Sequence, residues 1–60
     1  MKKEFFVMLN TQDGGITPLV DDKEDLATFD TVEEATKGAK SSILGDAFGY
    51  EVFQTGYGVA

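Results

Sequence analysis

The strongest constraint on how this chain can fold is what its 60 residues lack: there is no cysteine and no histidine. A domain of this length buries only about 60% of the surface its unfolded chain exposes, and many chains this small rely on a disulfide or a structural metal. Neither is open here. The core has to come from aliphatic and aromatic side chains, and Phe5, Phe6, Phe29, Phe48, Phe53, Tyr50 and Tyr57 supply many aromatics for one domain spanning 1–60.

The first ordered segment is read at residues 4–11, a strand whose Phe5, Phe6, Val7, Met8 and Leu9 put apolar groups on both faces. Asp13-Gly14 follows, a two-residue hairpin signal of the type that needs positive φ at both positions. With that turn, a second strand at 16–20 pairs Thr11 with Ile16, Leu9 with Pro18 and Val7 with Val20. One face then carries Phe5, Val7, Leu9, Ile16 and Val20, and the other carries Phe6, Met8 and Leu19. A Gly14-Gly15 turn would instead set Val7 opposite Asp22, a poorer match of buried with buried. Pro18 adds a second constraint. It cannot donate to a further strand on its outer side, so the second strand is an edge and the first is central.

Thr31-Val32-Glu33-Glu34 is a capping box, with the Thr31 hydroxyl placed to accept from the Glu34 amide and the two acids at the positive end of the helix. A helix over 32–44 places Val32, Ala35, Thr36, Ala39 and Ile43 in one arc, with Gly45 as its stop. A last strand at 50–55 turns Tyr50 and Val52 toward the helix and leaves Phe53 on the reverse side. The tail 56–60 is expected to fray. These elements predict an α+β fold, ββαβ, in which a three-stranded antiparallel sheet of order 2-1-3 packs one helix on one face through a right-handed crossover.

Composition narrows the chemistry. With no histidine, Ser41 and Ser42 have no partner base, and the glycines match neither a phosphate loop nor a dinucleotide fingerprint. No catalytic, cofactor-binding or metal-binding residue is assigned, and the expectation is a protein that is not an enzyme. Asp21-Asp22-Lys23-Glu24-Asp25 lacks the alternating ligands and central glycine of a calcium loop and reads as a solvated turn. Eleven acids against five lysines give a net charge of −6, with no arginine. That argues against direct binding to a phosphate backbone.

Two surfaces remain. Phe6, Met8, Leu19 and Phe53 are expected on a sheet face that no helix covers, and an apolar patch on so small a protein marks an interface with a protein partner or a second copy. Alternatively, Asp21, Asp22, Glu24, Asp25, Glu33 and Glu34 could imitate a phosphate backbone and block a DNA- or RNA-binding protein.

The apolar first strand, Asp13-Gly14-Gly15, Thr17-Pro18-Leu19-Val20, the run from Phe29 to Ala35 and Gly49-Tyr50-Glu51-Val52-Phe53 together make the chain similar to small acidic accessory proteins encoded by bacteriophages. That resemblance implies a protein that acts by binding a host protein, often an enzyme, and modulating or inhibiting it. It assigns no functional residue. The apolar run Phe5–Leu9 is too short for an export signal or a membrane span, so no membrane partner is expected and the compartment is read as cytoplasm, the host's if the protein is viral.

Overall fold

The computed structural model describes residues 4–60. The elements run β1 (Phe5–Asn10), β2 (Ile16–Pro18), α1 (Val32–Ser41), α2 (Ile43–Phe48), β3 (Tyr50–Gln54) and β4 (Gly58–Val59). The strands form one antiparallel sheet in the order β2-β1-β3-β4. The architecture is therefore α+β with a central first strand and an edge second strand, as the sequence indicates. It has one more strand and one more helix than expected.

The core is small. Val7 and Leu9 of β1, Val52 of β3, and Ala35 and Ala39 of α1 are buried, with Phe5, Leu19, Phe29, Leu44 and Tyr50 packed around them. Alternate residues of β1 and β3 point to this side, so both helices lie over the same sheet face. Ala35 and Ala39 have no exposure at all, and their small side chains let α1 sit close to the sheet. At its start the Glu34 amide donates to Thr31 Oγ1 at 3.1 Å, and the Thr31 hydroxyl in turn donates to Glu34 Oε1 at 3.4 Å.

The hairpin register differs from expectation by one residue. Asn10 pairs with Ile16, Leu9 with Thr17 and Met8 with Pro18, and the Leu19 amide donates to the Val7 carbonyl at 2.9 Å. The turn is three residues long rather than two. Gly14 N–H bonds the Thr11 carbonyl at 3.2 Å, and Thr11 N–H bonds the Gly15 carbonyl at 3.0 Å. Gly14 alone takes positive φ there, at 87°, which is the form of a three-residue loop closing on a glycine bulge. Thr11 locks the loop, its hydroxyl donating to Asp13 Oδ1 at 2.5 Å and accepting from the Gly15 amide at 2.9 Å. Because sides alternate, a slip of one residue turns β2 over: Leu19 faces the helices, while Ile16 and Val20 face away, 65% and 46% exposed. Pro18 now lies opposite Met8. Its missing amide still points away from β1, since Thr17 and Leu19 occupy the bonded positions on either side.

After Leu19 the chain leaves β1. Val20 bridges Leu26, the Ala27 amide bonds the Leu19 carbonyl at 2.9 Å, and Asp21–Asp25 form the tip of a small side hairpin. Phe29 then returns to the vacated place, exchanging two backbone hydrogen bonds with Phe5 at 2.8 and 3.1 Å. Its ring lies against α1 at Gly38, where a Cβ would come within 2.7 Å of the ring edge.

The expected helix over 32–44 is two helices. Ser42 is extended (φ −83°, ψ 140°), and Ser41 Oγ bonds back to the Lys37 carbonyl at 3.0 Å. The Ser41 hydroxyl competes for a helix carbonyl, and the chain turns at Ser42. Ile43, expected on the buried arc, is 85% exposed because the turn rotates it outward. Gly45 does not stop the helix. It is buried inside α2, and a Cβ on it would lie 2.1 Å from the Ala39 carbonyl oxygen and 3.2 Å from Leu9 Cδ2. Gly49, at φ 91°, ends α2 instead.

The tail does not fray. The Tyr57 amide bonds the Gln54 carbonyl at 2.9 Å across a turn that Gly56 enters at φ 85°. Val59 pairs with Phe53, and the Ala60 amide reaches the Val52 carbonyl at 2.9 Å. Glycines at 56 and 58 supply the positive φ that this reversal needs.

Candidate functional site

Residues directly opposite one another in an antiparallel sheet share a face, so the pairings define the side the helices leave open. Phe6 lies opposite Phe53, Met8 lies between Pro18 and Glu51, Asn10 lies opposite Ile16, and Val59 lies opposite Phe53. The open face thus runs from Ile16 and Pro18 through Met8 and Phe6 to Phe53 and Val59.

Its centre is the Phe6–Phe53 pair. The rings are stacked with centroids 5.5 Å apart and planes 14° from parallel. Each half-buries the other, a contact worth about 0.5–1.5 kcal/mol beyond its area. Met8 is also half-buried, whereas Ile16, Pro18 and Val59 are exposed at the margins.

Three of the four expected interface residues, Phe6, Met8 and Phe53, are together on this face. The fourth, Leu19, is not. The register turns it toward the helices, where it packs against the core, so it is a core residue. The sequence reading missed Ile16, which it had placed on the helix side, and Val59, which it had placed in a frayed tail. Only the turn geometry separates Ile16 from a core position, because its apolar character fits either face. Phe29 does not fold over the open side, since its ring contacts α1.

Glu51 is the charged residue that pairing places beside Met8 on this face, and it is exposed. At the other end Glu4 accepts a hydrogen bond from Gln54 Nε2, and its carbonyl accepts from the Thr55 amide at 2.8 Å. The lysines among the described residues lie elsewhere, Lys23 in the side hairpin and Lys37 and Lys40 on α1.

The acidic alternative is spread over two elements. Asp21, Asp22, Glu24 and Asp25 occupy the side hairpin, and Glu33 and Glu34 the first turn of α1. Asp21 is committed locally, its Oδ1 accepting from the amides of Lys23 at 2.8 Å and Asp25 at 3.0 Å, which holds the loop in place with Glu24 at φ 65°. The remaining acids of the loop are exposed. Asp13 belongs to neither surface. The Thr11 hydroxyl, and after it the Gly15 amide, hold its carboxyl below the ordinary aspartate range.

Among the described residues no helix is long and apolar enough to cross a membrane. No protein-family model matches the sequence, and no curated protein or solved structure is similar enough to count as a relative.

Proposed function

We propose that the chain is a non-enzymatic protein-binding module that docks a protein partner on its open sheet face, in the manner of a small phage accessory protein that modulates or inhibits a host protein. The stacked Phe6–Phe53 pair carries this reading. Two aromatic rings at the centre of an apolar face, with Met8 beside them and Ile16, Pro18 and Val59 around them, have the make-up of an interface hot spot. A domain with so few buried side chains gains little by leaving such a group against water.

The test is capture from bacterial lysate by the wild-type chain and three variants in parallel, read by mass spectrometry. Met8→Lys and Phe53→Ala are expected to lose a partner that the wild type retains, with their folds intact by circular dichroism. Reversing Asp22 and Asp25 to lysine is expected to leave capture within a few-fold, and added salt to weaken it by no more than a few-fold. If Met8→Lys keeps the partner and the reversed acids lose it, the protein is a nucleic-acid mimic and the open-face reading falls.

A further inference from the structure

Building on that reading, we propose that the occupant of the open face is an amphipathic helix carrying lysine or arginine beside its apolar stripe, and not a second copy of this chain. Strand addition is disfavoured at both edges of the sheet. On β2 the two outward positions are Ile16 and Pro18, and Pro18 has no amide to donate, while β4 offers only Gly58 and Val59. Docking is therefore onto the face. Each row of the face is three residues across, Pro18–Met8–Glu51 and Phe6–Phe53–Val59, which at a strand spacing of about 4.8 Å makes a surface roughly 14 Å wide. Six residues of β1 run about 20 Å, close to the length of a 13-residue helix. One short helix fits across such a surface, as α1 and α2 do on the other side.

Charge selects among possible occupants. Glu51 is exposed on the face next to Met8, two residues along β3 from Phe53, and the described lysines stand in the side hairpin and on α1. A second copy would bring another Glu51 and a further net charge of −6 against the first. Like charges brought together across an interface disfavour the pairing, whereas a basic flank pairs with Glu51 directly.

The experiment uses the full chain labelled for NMR and two synthetic peptides with the same leucine stripe at i, i+3, i+4 and i+7. One carries lysines beside the stripe and the other glutamates. The lysine peptide is expected to shift the amides of Phe6, Met8, Glu51 and Phe53 and to bind at least tenfold more tightly than its twin. Glu51→Gln is expected to weaken the lysine peptide several-fold. Glu33→Gln removes the same charge from α1 and should leave affinity within twofold.

Equal weakening by the two variants, or shifts that map to 21–25 or to α1, would overturn the proposal, because the attraction would then be diffuse. If both peptides bind the face equally, the basic flank is wrong while the open-face reading stands. Silence from both peptides also overturns it. If sedimentation then shows a dimer that Met8→Lys dissociates, the occupant is a second copy.

Discussion

Gly45 of α2 faces the carbonyl of Ala39 in α1 so closely that a methyl group at 45 would lie 2.1 Å from the oxygen and 2.9 Å from the carbon. Both are backbone atoms, so no side-chain rotation relieves the clash. On helix propensity alone, Gly45→Ala should stabilise a helix by about 1 kcal/mol. The geometry predicts the reverse, a loss on the order of 3 kcal/mol from forcing the two helices apart. Urea denaturation of the variant decides between them. Gly38→Ala should cost less, since there the obstruction is the edge of the Phe29 ring, which can move.

Leu19 and Val20 exchange roles relative to a two-residue turn, and stability measurements read this directly. Leu19→Ala should cost about 2 kcal/mol by opening space beside the core, while Val20→Ala should stay under about 1 kcal/mol. Leu19→Lys should unfold the chain, whereas Met8→Lys, on the open face, should not. NOE contacts should join Val7 to Leu19. Contacts from Val7 to Val20 instead would restore the two-residue turn.

Val7 is the largest side chain with no exposure, at the junction of β1 with both neighbouring strands. Val7→Ala is expected to lower stability by about 1–3 kcal/mol. Ala39→Leu should destabilise by overpacking a fully buried position of α1. Thermal unfolding of the two variants checks whether α1 covers this face.

The first turn should respond to acid. Asp13 has its carboxyl pKa lowered by the Thr11 hydroxyl and then by the Gly15 amide, so the folded state binds its proton less readily than the unfolded state. Its contribution to hairpin stability is full above the ordinary aspartate pKa and disappears as pH falls through the lowered value. An NMR titration of the Asp13 carboxyl should show that lowered midpoint. Thr11→Val should return it toward the ordinary value.

Much of the fold is legible in the residues. Thr31 and Glu34 mark the helix start, Pro18 identifies the edge, and Glu51 fixes which side of β3 is wet, so Tyr50, Val52 and Phe53 fall on the sides expected. The register is not legible from hydrophobicity, because Ile16, Leu19 and Val20 are all apolar and either alignment buries some of them. What decides it is the Thr11 side chain gripping Asp13 and Gly15 around a glycine with positive φ. The same ambiguity hid Ile16 from the candidate site and placed Leu19 in it. Gly45 looks like a stop to any reading of local sequence, since its reason for being glycine is a carbonyl six residues away. The tail became β4 because two glycines let a short segment reach the free side of β3, a tertiary gain that terminal composition does not signal.

The side hairpin has a practical consequence. Its ends are held by the Val20–Leu26 bridge and by the Asp25 carbonyl, which accepts from the Asp21 amide at 2.8 Å, so the residues between them carry no part of the sheet. Lengthening a closed loop adds little entropy, only about 0.6 kcal/mol for each doubling. Residues 22–24 are thus a natural place to graft an epitope or a fluorophore-binding tag. A label there would report on the protein in a cell without interrupting either helix or the pairing of the four strands.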